Sequence, residues 1–415
     1  MKRILFIALV ACSTLSLTAA NYDLNKPFGF CTVSSRTDAC NTYNVTGGGC
    51  YTYPVTGVSS DQVITLTSTG KDMKTAIAEA IKDYSIIIFD GSKGDFIVSS
   101  NIELKDIKDR TLLGINEARL STEWYIKKEI ADSLNAAGVP TMKTSGGGGT
   151  LSNGRMVKEE AEYYTRQIII NLTGDQKETY RKAGIFVVKG CQNIIFRNLI
   201  MVGPGSIDVG GSDLMSFVGG TKNCWVDHCE FIDGMDGNFD IGQSSDFNTV
   251  SWCTFSYTDR SYMHQNTNLI GSSDREVPGY LNTTFAFNWW GTGCKQRMPM
   301  ARVGKIHMLN NYFSSVTANN CINPRKNSEV LIEGNYFDKG IKRYYSQNDA
   351  TAVTWADSNF AAENNKGNKP VSVGATVTVP YEYTVAPSSD VPTVVRQQAG
   401  ATLFGNQSTS STRGF

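Results

Sequence analysis

Six short segments of this chain repeat one pattern: an apolar run, one small polar residue, then aromatic or aliphatic residues. They are IIFRNLI, WVDHCEF, VSWCTF, FAFNWW, HMLNNYF and VLIEGNYF, aligned on Asn198, Cys229, Cys253, Asn288, Asn311 and Asn335. Successive aligned residues stand 31, 24, 35, 23 and 24 apart. A base period near 23 with two longer intervals points to a recurring coil, with insertions in two of the coils. Strands this short cannot bury a core alone. Stacked about 4.8 Å apart, they pair in parallel ladders and share one core. The expected architecture is all-β: a right-handed parallel β-helix (a solenoid) with an N-terminal capping helix and a helical insertion. The aligned positions would form one ladder, in which each Asn amide bonds those above and below. Cys229 and Cys253 would sit in it as inert core thiols, or as a disulfide between adjacent coils.

The flanks differ from the coils. Met73 to Asp83 has the apolar spacing of an amphipathic helix suited to cap the first coil. Residues 121–182 interrupt the pattern with helix-like stretches at Glu123–Leu134 and Met156–Ile168, separated by Gly146–Gly149. They read as an insertion folded over one face. From about Asp349 the period is lost, and residues 349–415 are expected to pack back along the solenoid. Lys2 and Arg3 precede an apolar run that ends in small residues at Thr18-Ala19-Ala20, the pattern of a secretory leader cleaved after residue 20. Residues 21–415 then form one domain, secreted or periplasmic. Leu9-Val10-Ala11-Cys12 also resembles a lipoprotein processing site. No other segment could cross a membrane. Of ten cysteines, Cys31, Cys40 and Cys50 cluster in a Gly- and Thr-rich stretch, where a disulfide is plausible after export.

Lys plus Arg equals Asp plus Glu at 39 each, so no basic stripe asks for nucleic acid. The charges are instead sorted locally. Asp236 and Asp240 stand four apart, with Asp213, Asp227 and Asp233 upstream. In a solenoid, residues one coil apart become neighbours, so Asp213 could approach Asp236 and Asp240. Three carboxylates with waters suit Ca²⁺, which takes 6–8 oxygen ligands. Further on, Arg297 and Arg302 flank Met-Pro-Met-Ala with no acid between them. Residues five apart on a strand face opposite ways, but Pro299 breaks simple pairing and would let both reach one groove. A cation site beside an anion-binding site suits an acidic polymer.

Taken together, the motifs resemble the pectate lyase family of parallel β-helix enzymes. They are Cys224-Trp225-Val226-Asp227-His228, Asp236-Gly237-Asn238-Phe239-Asp240-Ile241, Thr249-Val250-Ser251-Trp252, Gly271-Ser272-Ser273-Asp274 and Arg297-Met298-Pro299-Met300-Ala301-Arg302, then Gly304-Lys305-Ile306-His307 and Asn310-Asn311-Tyr312. They run in family order over roughly residues 185–340. The resemblance implies a calcium-dependent lyase that cleaves de-esterified polygalacturonate by β-elimination and works as a monomer. Asp213, Asp236 and Asp240 match the family's calcium ligands. Arg297 matches the arginine that accepts the C5 proton, and Arg302 one that binds a substrate carboxylate. Arg325 falls where another substrate-binding arginine often stands. Asp227 and His228 are expected to be structural.

Two departures stand out. Where the family commonly has His-x-Lys, this chain has His264-Gln265-Asn266; a substrate-carboxylate contact is lost, or is supplied elsewhere with Lys295 and Arg260 as candidates. At Gly211, where some members carry another calcium-binding acid, there is no side chain. The rival readings are a pectin lyase acting on methyl-esterified substrate without metal, and a non-catalytic β-helix that binds acidic glycan.

Overall fold

The computed structural model describes residues 26–35, 42–138, 155–346, 349–362 and 371–404. The expected leader, Cys12, Cys40 and Gly146–Gly149 lie outside them. Each coil contributes strands in turn to adjoining faces. The first face holds Phe186–Lys189, Met215–Val218, Phe239–Ile241, Leu269–Ile270 and the starts of Met300–Leu309 and Asn323–Glu333. The next holds Gln192–Arg197, Trp225–Asp227, Asn248–Ser251, Thr283–Ala286 and the ends of the same two long strands. A separate sheet holds Ile200–Val202, Glu230–Ile232, Thr254–Ser256, Trp289–Trp290, Tyr312–Phe313 and Tyr336–Phe337. Every ladder between these strands is parallel; Trp225, for example, lies opposite Ile195 on one side and Thr249 on the other. This is a parallel β-helix.

Stacking puts like residues over like. Phe231, Phe255, Trp290, Phe313 and Phe337 form one buried column, with ring centroids 5.1, 5.3, 4.8 and 4.5 Å apart. Burying each ring contributes about 2–3 kcal/mol. Helix α1 (Lys74–Asp83) adds Ile77, Ala80 and Ile81 to the same core.

The amide ladder runs from Asn288 through Asn311 and Asn335 to Asn359, each Nδ2 donating to the next Oδ1 at 2.9–3.1 Å. Cys253 joins through its backbone N–H, which donates to Asn288 Oδ1, and Cys229 stacks beneath it. Both are buried free thiols. One alignment was a residue out: the strand register places Leu199, not Asn198, under Cys229. Asn198 belongs to the adjacent corner with His228, Trp252, Phe287 and Asn310, all at φ between +48° and +60°. Asn tolerates that left-handed bend better than most residues, and its amide is used there: Asn198 and Asn310 both bond the C-terminal segment.

That segment retraces the corner. Ala386 N–H donates to Asn310 Oδ1, Gly400 N–H to the Trp252 carbonyl and Leu403 N–H to Asn198 Oδ1. The helix Val391–Gln398 seats Val391 and Val395 against Trp252, Phe287 and Tyr312. At the other terminus, the Phe30 and Cys31 N–H groups donate to Thr284 and Thr249 hydroxyls. Cys31 is thereby held in one apolar cluster and Cys50 in another. Both are free thiols, so they do not form the expected disulfide with each other.

The turns joining the small sheet to the first face all lie on one edge. In successive coils they span residues 203–214, 233–238, 257–268, 291–299 and 314–322. The insertion is the enlarged turn of the coil before them, between strands Arg119–Thr122 and Phe186–Lys189. It carries helices α2 (Lys128–Ala136) and α3 (Arg155–Thr173), so both expected helices start or end several residues away from their periodic stretches. Ile126, Ile130, Leu134 and Ile169 pack against Ile207, Val209 and Met235 of the neighbouring turns. No helix among the described residues is long and apolar enough to cross a membrane.

Candidate active site

Along this edge the turns bring together residues far apart in sequence. Asp213 lies near the end of the 203–214 turn; its Oδ2 accepts from Ser216 Oγ at 2.8 Å and its Oδ1 from the Gly237 N–H at 3.0 Å. Asp240, one coil on and pointing outward from the first face, accepts from the Leu269 N–H at 2.9 Å. Gly237 lies between the two acids. A Cβ there would stand 2.8 Å from Asp240 Oδ1 and 3.0 Å from Asp213 Oδ1, so these oxygens are within about 6 Å of each other, near the span one calcium ion bridges. The glycine keeps that space open.

Asp236 is turned differently. Its Oδ1 lies 2.6 Å from His264 Nε2, and His264 Nδ1 lies 3.5 Å from Asp208. The loop of residues 257–268 explains this. It passes over the short 233–238 turn, so that Tyr262 and Met263 N–H groups donate to the Ser206 carbonyl two coils away. Burial alone would push His264 down, but Asp208 and Asp236 outweigh it and hold the imidazole at about 9. Among the described residues, therefore, no three acid, His or Cys side chains are gathered as a ready-made metal cage.

Burial, then the charge of Asp236, pushes Asp213 up to about 7. Burial, then Asp213 and Asp236, pushes Asp240 well above the usual carboxylate range. Both acids are pulled back in the other direction by Arg297, whose guanidinium thus lies within electrostatic reach of the pair. Arg297 sits in the 291–299 turn at φ +61°, with its carbonyl accepting from the Asn268 N–H at 2.7 Å. It is off the strand, so the rule of opposite faces for residues five apart does not apply.

Arg302 stands two residues after Met300, which pairs with Leu269, and so projects from the same face as Asp240. It donates to the Gly271 carbonyl at 2.6 Å and pairs with Asp274 at 3.1 Å. Burial first, then Arg325 and Arg297, pull it below its usual range; the three guanidinium groups share one region. Arg325 has a buried Nε with no hydrogen-bond partner. Lys295 is half-buried beside Gln265, to whose carbonyl its N–H donates at 3.2 Å, and burial lowers its pKa.

Asn266, in the place of the expected lysine, accepts from Gln296 Nε2 at 2.5 Å and contacts His264 Nε2 at 2.9 Å. It is an amide link between turns. Arg260, the other candidate, donates to the Gly203 carbonyl at 3.1 Å and lies over the Tyr125 ring. Asp227 and His228 lie away from this edge in a fully buried network, where Asp227 accepts from Arg197, His228 and Ser251 at 2.7–2.8 Å.

A family model described as pectate lyase matches residues 153–402. The chain belongs to the pectate lyase family. It is 33% identical over 227 residues to a probable pectate lyase A of Neosartorya fischeri, covering 52% of this chain and 65% of that one. It is 32% identical over 218 residues to a pectate trisaccharide-lyase of Bacillus licheniformis, covering 50% and 60%. The chain thus spans less than two thirds of the length of these curated relatives. A solved pectate lyase of Bacillus sp. N165 in complex with trigalacturonate superposes with a TM-score of 0.54 at 18% identity, over 90% of this chain and 98% of that one. The cedar pollen allergen jun a 1 gives 0.55 at 17% identity, over 86% and 92%. These likenesses carry the fold.

Proposed function

We propose that this protein is a secreted, calcium-dependent pectate lyase that cleaves de-esterified polygalacturonate by β-elimination. The observation that carries the reading is the convergence of the Asp213–Asp240 pair and Arg297 on one edge of the solenoid. Family membership and the trigalacturonate bound by a structural neighbour support the substrate class.

The donor set fits a hard divalent cation: Asp213 and Asp240 present oxygens alone, and their mutual repulsion is what such a cation relieves. Asp213 and Asp240 would hold it, with Asp236 as third ligand once released from His264. Bound calcium would neutralise the galacturonate carboxylate and make the neighbouring C5 hydrogen more acidic. Arg302, Arg325 and Lys295 bind and orient the carboxylates of the chain. Arg297 takes the C5 proton, the C4=C5 double bond forms as the C4–O4 bond breaks, and the departing O4 takes a proton from water, leaving an unsaturated chain end. Arginine is normally protonated in water, so this role calls for alkaline conditions. A methyl-esterified substrate would leave the acid pair without a purpose.

The test is incubation with polygalacturonate and calcium while following ultraviolet absorbance from unsaturated ends. The reading expects absorbance that chelator abolishes and calcium restores. Full activity in chelator would point to a metal-free pectin lyase, and tight binding without absorbance to a non-catalytic glycan binder.

A further inference from the structure

We propose that Tyr125, Lys127 and Arg260 form a distal subsite for a carboxylate of the same acidic glycan, several sugar units from the scissile bond. The inference rests on the lyase reading for its ligand but on separate residues. Tyr125 belongs to the insertion and is 42% exposed. Two cations converge on its ring: Arg260 Cζ lies 5.0 Å from the centroid and Lys127 Nζ 6.0 Å. Among the described residues neither has a carboxylate partner, whereas Arg302, Lys326 and Arg181 each do. Only one nitrogen of Arg260 is used, on the Gly203 carbonyl. A guanidinium held over an aromatic ring with most of its donors still open is pre-organised for a carboxylate.

The placement ties the patch to the site. Arg260 shares the 257–268 loop with His264, which bonds Asp236. The Ile126 N–H, next to Tyr125, donates to the Pro204 carbonyl at 2.8 Å, at the start of the turn that carries Asp213. From the insertion's coil to that of Arg297 is four coil steps, or about 19 Å along the edge, and to that of Arg325 five, or about 24 Å. A long polyanion could meet the arginines at one end and this patch at the other; a short one seated at Arg297 would not reach.

The experiment is calorimetry in calcium with trigalacturonate and hexagalacturonate, on the full chain carrying Arg297→Lys to suppress cleavage, alone and combined with Lys127→Ala, Arg260→Ala and the pair. A solvent-facing ion pair is worth up to about 1 kcal/mol, or about fivefold in affinity. Each single variant should weaken hexamer binding by about that factor while moving trimer binding far less, and added salt should shrink the difference. Arg260→Lys should restore part of the loss, which a packing role at Gly203 would not require. Lys127→Ala leaves the Gly203 contact intact and guards against a folding artefact. Equal losses for trimer and hexamer, or none for either, overturn the proposal. Absence of turnover by the wild type would sink the lyase reading alone, since binding is read without it.

Discussion

Replacing Asp213 with Asn should make the calcium-free protein more stable, not less. Asp213 is raised from 3.8 to about 7 by burial and by Asp236. At about 1.4 kcal/mol per pH unit, that sets a ceiling of roughly 4 kcal/mol on the cost of ionising it in the folded state. Asp213 is partly open to solvent, which screens the repulsion, so the expected gain for Asp213→Asn at pH 8 is about 2 kcal/mol. The sign follows from the raised folded-state value. The cost is absent below the unfolded value of 3.8, grows as pH rises, and is complete above about 7. Asn keeps the geometry, since its Oδ1 can accept from the Gly237 N–H and its Nδ2 can meet Ser216. Denaturant unfolding in chelator at pH 8 and pH 5 measures the effect: the gain should be larger at pH 8. Calcium should then stabilise the wild type and not the variant. A variant less stable than wild type at pH 8 would mean that Asp213 is not held against repulsion, and the argument for a cation site would lose its physical basis.

Three further outcomes follow. Arg297→Lys should fold normally and lose about 10²–10⁴ in kcat, measured by product absorbance; near-normal turnover would remove Arg297 from the chemistry. Activity should rise through pH 7 into the alkaline range as Asp213 and Asp240 ionise to hold the cation; a maximum at acid pH would contradict it. His264→Gln should destabilise the calcium-free protein by about 2–3 kcal/mol near neutral pH. The folded imidazole at about 9 contributes fully below 6.5 and loses its contribution as pH rises through 9, so the two unfolding curves should converge above that; a constant gap would show a packing effect instead.

Much of this molecule was legible because solenoid stacking turns sequence period into spatial neighbourhood. Asp213 and Asp240, 27 residues apart, could be paired on paper because a coil is about that long. The one-residue slip at Asn198 has the same root. Asn198 and Leu199 both fit the repeat, and only the hydrogen-bonded register, with its left-handed corner, separates them. His264 and Asp208 were missed as site residues for a different reason. Their contact depends on the 257–268 loop skipping a coil to reach Ser206, and no periodicity encodes a skipped coil. The short 233–238 turn that leaves room for it was the available signal. Cys31 and Cys50 do not pair with each other because Cys31 is drawn under Trp225 and Cys50 under Ile86 and Ile115. Helix boundaries in the insertion moved because packing on Ile207 and Met235, not periodicity alone, decides where α2 begins.

The most direct measurement is a crystal structure of Arg297→Lys soaked with calcium and trigalacturonate. Anomalous density for an ion touching Asp213 and Asp240, with the side chain at position 297 directed at C5 of a bound sugar, is the predicted result. An ion elsewhere, or a sugar whose C5 faces away from that position, would contradict the account.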